Sequence, residues 1–163
     1  MKHVVSTNKI YFFGFLLASA ALLFDAYLQF YLTLPTCNLV YLERIILFVT
    51  VLAFLAGSLY HHTAASNRVF SLSSLLISLI GVGTALRHAW IQYFPQSQSF
   101  NLNPGNYTSK FTYISQWIQS TYSGTIACSQ PQWSGYGITL TEWTFLLFIF
   151  LSVLALSQLR HKF

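Results

Sequence analysis

Four apolar runs, each broken at few places, organise this chain. Ile10–Leu34 is apolar apart from Asp25, Gln29 and small polar residues. Ile45–Tyr60 carries no charge, and Asn38–Arg44 ahead of it brings it to a spanning length. Val69–Phe94 is interrupted near its end by Arg87, His88 and Gln92, and Trp143–Leu159 is uncharged with Glu142 at its head. A hydrocarbon core of ~30 Å takes ~20 helical residues at ~1.5 Å each, and every run meets that length. The pattern predicts an all-α membrane protein, a four-transmembrane-helix bundle in a single domain over 1–163, with helices over about 10–34, 40–60, 69–94 and 141–159. The first run is too long, and its continuation AYLQFYLTL too polar and aromatic, for a cleaved signal peptide, so it is expected to stay as a helix.

The connections differ in length. LPTC and HHTAASNR are short, whereas the segment over about 95–140 is long and rich in Ser, Gln, Asn, Gly and Pro. Its turn signals centre on Asn103-Pro104-Gly105. Beyond them Phe111, Ile114, Ile118 and Tyr122 recur near helical spacing, which predicts a short amphipathic helix in this loop, packed on the membrane surface or on the loop itself. Thr139-Leu140-Thr141-Glu142 has the form of a capping box at the head of the last helix.

Composition agrees with lipid as the main solvent. The chain is 55% hydrophobic and only 7% charged, where a soluble domain carries roughly a quarter charged residues. Lys2, Lys9, Arg68, Arg160 and Lys162 fall on one side of the predicted topology. Lys110, with Arg44 and Arg87 near helix ends, falls on the other. Positive charge stays inside, so both termini are expected in the cytoplasm and both cysteines, Cys37 and Cys128, outside. In a bacterial inner membrane that side is the periplasm, where disulfides form and persist. The net charge of +5 follows from this topology, and no basic-aromatic patch points to nucleic acid.

Few side chains carry candidate chemistry. Pro35-Thr36 ahead of Cys37 can open the second helix with Thr36 as its cap, and a helix N-terminus stabilises a thiolate; an inert thiol in a tight turn is the plain alternative. Arg44 stands two turns further on, as a ligand for an anion or a carbonyl or as a snorkelling anchor. Glu43 beside it reads as a rim residue. His88, at the outer end of the third run, can donate a hydrogen bond or proton, or simply be hydrated. Asp25 is the acid inside an apolar run, with Gln29 one turn on as a ready partner. No metal-ligand spacing, Ser-His-Asp set or phosphate loop is present.

Taken in order, these pieces resemble the bacterial disulfide bond formation protein B (DsbB) family. YLQFYLTLPTCNLVYLER resembles the family's YLQ…L-x-P-C-x-L-C-x-x-x-R, and the run Gly83–Pro95 its G-x-x-x-A-x-R-H-x-W-L-Q-x-x-P. Gly124…Cys128…Trp133 and Leu140…Trp143 are similar to its second loop and the entry to its fourth helix. The resemblance implies a quinone-linked thiol:disulfide oxidoreductase. Such an enzyme takes electrons from a DsbA-like periplasmic thioredoxin-fold partner and passes them to ubiquinone or menaquinone in the lipid, supporting disulfide bond formation. It implies catalytic roles for Cys37 and Cys128 and quinone-side roles for Arg44 and His88. The chain departs from the family's four-cysteine pattern twice, with Val40 at the second position of CxxC and Leu102 in place of the first loop cysteine. Cys37 and Cys128 then match the two positions that form the family's transient interloop disulfide. The competing expectation is a non-catalytic relative that binds quinone or a partner, with Cys37–Cys128 as a structural bond.

Overall fold

The computed structural model describes residues 2–32, 37–60, 63–94, 126–131 and 133–160. Four long helices carry the chain: α1 Lys2–Leu32, α2 Asn38–Tyr60, α3 Ala64–Tyr93 and, last, α5 Leu140–Arg160. Ahead of α5 come a single-turn helix, α4 Ile126–Ser129, and a hairpin of β1 Ser134–Gly135 and β2 Ile138–Thr139. The stretches Asn8–Tyr31, Asn38–Tyr60, Ala65–Tyr93 and Leu140–Leu159 are each long and apolar enough to cross a bilayer. The protein is a four-span all-α membrane protein, as the apolar runs predict. The expected amphipathic helix around Phe111–Tyr122 and the expected cap at Thr36 lie outside the described residues.

Local chemistry sets the helix ends. Thr63, in extended backbone, starts α3 by accepting a 3.1 Å hydrogen bond from the Ser66 amide, which carries the helix back beyond its apolar run. The capping box at α5 forms as expected. Glu142 Oε2 accepts from the Thr139 amide at 2.7 Å, and Thr139 Oγ1 accepts from the Glu142 amide at 3.4 Å.

α3 packs against α5 and α2, and α2 against α1, while a thinner contact between α1 and α5 closes the ring. Lipid is as apolar as leucine, so close fit rather than water exclusion must hold these helices together. Glycines supply it. The Phe54 ring of α2 seats over Gly14 of α1, where a Cβ would come within 2.4 Å of it. Tyr11 seats over Gly57 in return, and the two rings meet edge to face at 6.2 Å. Phe148 of α5 lies over Gly81 of α3 in the same manner. Two polar groups inside the bundle bond across helices: the Tyr11 hydroxyl donates to the Asn67 carbonyl at 3.2 Å and Ser71 Oγ to the Ala155 carbonyl at 2.7 Å. Leu23, Phe30, Leu76 and Ile80 point outward and stay exposed, as lipid-facing side chains do.

The hairpin pairs Ser134 with Thr139 and Gly135 with Ile138. Its two turn residues, Tyr136 and Gly137, both have positive φ (57° and 80°), the type I′ geometry of the tightest hairpins. Trp133, just before it, accepts from the Leu140 amide through its carbonyl at 3.1 Å and sets its ring edge-on to Phe24 of α1. The hairpin is thereby tied to both α5 and α1 at one end of the bundle.

Candidate functional site

Cys37 and Cys128 meet at that end. They form a disulfide, with 5.3 Å between Cα atoms and 91 residues between them in sequence. Cys37 precedes α2, and its carbonyl accepts the first helical hydrogen bond, from the Tyr41 amide at 3.3 Å. It therefore stands at the N-terminal cap of α2. Cys128 comes from α4. Both are buried, at 2% and 0% exposure, in a small cluster with Leu39, Val40 and Ile91. Val40, at the position of the family's second CxxC cysteine, thus fills the space beside the bond with hydrocarbon.

His88 of α3 stands against the disulfide. Its Nε2 lies 3.9 Å from Cys37 Sγ, and its Nδ1 lies 2.9 Å from Glu43 Oε1. An ionised carboxylate only accepts, so in this hydrogen bond Nδ1 carries the proton and donates it to Glu43. Thr141 Oγ1, 3.3 Å from the same nitrogen, is held in turn by Gln92 Nε2 at 3.0 Å. Glu43 is 5% exposed and His88 2%. Glu43 is not the rim residue that its place beside Arg44 suggests. The helical phase shows why: Val40, Glu43, Leu47, Thr50 and Phe54 recur three and four residues apart and all face inward. That phase is the signal in the sequence that locates it.

Arg44, one residue on, turns toward α1. Its Nε donates to Asp25 Oδ2 at 2.6 Å and its Nη1 to Gln29 Oε1, and its charge lies 5.8 Å from the Tyr41 ring centre. The acid inside the first run is accordingly the arginine's counter-ion, and Gln29 serves the arginine rather than the acid. Two anchors on one helix fix the plane of the guanidinium.

Arg44 and His88 share the wall of one cavity of about 350 Å³, lined from all four long helices and, at one end, by Trp133 and by Tyr136 of the hairpin. Its walls are mostly apolar (Ala21, Phe24, Leu47, Trp143 and Leu147), and Val40, Glu43 and Gln92 also face it. A flat apolar ring with acceptor atoms at its edge matches this lining. Three of the expected site residues are brought together, Cys37 bonded to Cys128 and His88 against Cys37; Arg44 shares the cavity wall with His88, which neither cysteine lines. Among the described residues, no cluster of His, Cys, Asp or Glu is arranged to hold a metal ion.

A four-span helical bundle with a buried disulfide beside an apolar cavity defines a membrane thiol–disulfide protein. Comparison with known proteins narrows this. Residues 7–158 match the family model for Disulfide bond formation protein DsbB. The chain is 30% identical to the disulfide bond formation protein B of Nitrosococcus oceani over 156 residues, covering 95% of this chain and 92% of the relative. Against that of Hahella chejuensis it is 31% identical over 158 residues, covering 95% and 96%. The chain belongs to the DsbB family.

Proposed function

We propose that this chain is a quinone-linked thiol:disulfide oxidoreductase of the bacterial inner membrane, with both termini cytoplasmic and both cysteine loops periplasmic. Cys37 and Cys128 are its redox residues. Their bond takes two electrons from a DsbA-like periplasmic thioredoxin-fold partner, which returns to oxidise exported proteins. The adjacency of this disulfide to the cavity carrying Arg44 and His88 supports the reading.

The cavity's size, its apolar and aromatic walls and the polar Arg44 and His88 side chains on them support a quinone headgroup as its occupant. Ubiquinone or menaquinone bound there would supply an acceptor for two electrons and two protons. Arg44 would donate to a carbonyl oxygen and favour negative charge on it, with Asp25 and Gln29 holding the guanidinium in place. His88 is the proton-carrying group between sulfur and cavity. With Val40 at the second CxxC position, Cys37 carries the quinone-side role without a companion thiol.

Quinol formation on adding reduced DsbA to membranes containing the protein tests this, with Cys37→Ala as control. Equal traces from wild type and control would sink it. A second reading, a non-catalytic relative with Cys37–Cys128 as a static brace, is favoured by the burial of both sulfurs and by Val40. Alkylation after acid quench separates the two. A brace stays oxidised whatever the quinone supply, whereas a working bond accumulates reduced when quinone is depleted.

A further inference from the structure

The two sulfurs of the disulfide have different surroundings. Cys37 Sγ faces the His88 imidazole at 3.9 Å, and that imidazole is backed by Glu43 at 2.9 Å. Cys128 sits on a single helical turn that rests on α3, in apolar company. Thiol exchange is fastest when the expelled sulfur is the better-stabilised thiolate. A cysteine paired with a histidine that a third group holds is the usual arrangement for a stabilised thiolate.

We propose that the Glu43–His88 pair makes Cys37 the leaving sulfur, so that the partner attacks Cys128, with Glu43 acting as a positioning residue through His88. This rests on the thiol-exchange reading above. In the first step the partner's thiolate attacks Cys128 Sγ. The Cys37–Cys128 bond breaks with its electron pair on Cys37 Sγ, and a partner–Cys128 disulfide forms. The partner's second thiol then displaces Cys128, so the partner leaves oxidised by two electrons. Its released proton goes to Cys128, and Cys37 remains a thiolate beside His88. When His88 then takes up one proton from water, Nε2–H donates to that thiolate while Nδ1–H donates to Glu43, so both ends of the cation meet a negative charge.

Among the described residues, the charged and titratable groups nearest the imidazole come from every packed element. Cys37 at the head of α2 and Glu43 within it face the ring, Arg87 precedes it on α3, and α4 supplies Cys128 on the far side of the bond. Arg44 is engaged by Asp25 of α1, and Glu142 of α5 is bonded to Tyr93 and Thr139. α5 offers His88 the neutral Thr141 hydroxyl. The exchange also requires α4 to lift, since Cys128 is fully buried in the closed bundle.

Two experiments on the full-length protein in detergent test the inference. In the first, a DsbA whose second active-site cysteine is replaced by alanine is added to the oxidised wild-type protein, and mass spectrometry locates the mixed disulfide. Attachment at Cys128 is expected in the large majority of molecules; attachment mainly at Cys37 would overturn the assignment. In the second, the alkylation rate of Cys37 is followed against pH in Cys128→Ser, with and without Glu43→Gln. Losing the carboxylate is expected to move the profile up by about one pH unit, roughly tenfold in rate at neutral pH, and Glu43→Asp to recover part of it. An unmoved profile in a folded Glu43→Gln protein would refute the role of Glu43. If that variant does not fold, His88→Gln gives the same readout, with loss of the low-pH inflection expected and its persistence refuting. Neither experiment needs quinone, so failed quinol formation with a shifted profile would count against the proposed function and not against this device.

Discussion

Returning a cysteine to position 40 is the most informative perturbation. Val40 is 8% exposed, touches the Cys37–Cys128 cluster and also faces the cavity. A thiol there would stand between the disulfide and the cavity, on the same helical face as Cys37. Val40→Cys removes one branch of a buried side chain and leaves a void of about one methyl group. The cost is about 1 kcal/mol, too little to unfold the bundle. If the absent thiol limits electron flow from Cys37, quinol formation driven by reduced DsbA should rise by about tenfold or more, equivalent to ~1.4 kcal/mol of barrier. Membranes are assayed anaerobically by quinone absorbance, beside Val40→Ala, which opens at least as much space without a thiol. An unchanged rate in a folded Val40→Cys protein, or the same gain in Val40→Ala, would refute the reasoning.

Other consequences follow from the same geometry. For a loop closed across 91 residues, chain entropy gives a ceiling of roughly 4.6 kcal/mol for the disulfide's stabilisation. Spanning helices stay inserted when packing is lost, so reduction should cost less than half of that in a denaturant titration with and without reductant; a loss near the ceiling would show the spans leaving the membrane. Asp25→Asn frees one anchor of Arg44. It should raise the quinone KM by about tenfold while leaving the DsbA–Cys128 adduct rate unchanged, an interaction change of ~1.4 kcal/mol; equal loss in both assays would mean a structural defect. Gly81→Leu drives a side chain into the Phe148 ring, since even its Cβ would fall 2.5 Å from it. It should destabilise the α3–α5 pair by about 1–3 kcal/mol in a detergent unfolding assay.

The bundle was legible because hydrophobic length is a one-dimensional signal: a span needs ~20 apolar residues wherever its neighbours lie. Cys37, Cys128, Arg44 and His88 were legible as candidates because reactive or charged groups at span ends stand out against hydrocarbon. Their pairing was not. Glu43 and Arg44 are neighbours in sequence, yet one turns to His88 on α3 and the other to Asp25 on α1. The ~100° step per residue separates them, and only the phase of the whole of α2 reveals which faces inward. The hairpin escaped for another reason. Two residues per strand carry no alternation to detect, and its turn is Tyr136-Gly137, where Asn-Gly or Asp-Gly is the recognisable signal. The inward serines of α3, Ser71, Ser74 and Ser78, are likewise silent in an apolar run, though they line its buried face.

The burial of both sulfurs has a consequence for selectivity. Small thiols dissolved around the membrane meet a bond they cannot approach, because no atom of Cys128 and almost none of Cys37 is accessible. A partner able to spend docking energy on moving α4 reaches it; a diffusing glutathione or free cysteine does not. In the proposed exchange, electrons would thus be sorted by who can open the door, a kinetic filter independent of reduction potential.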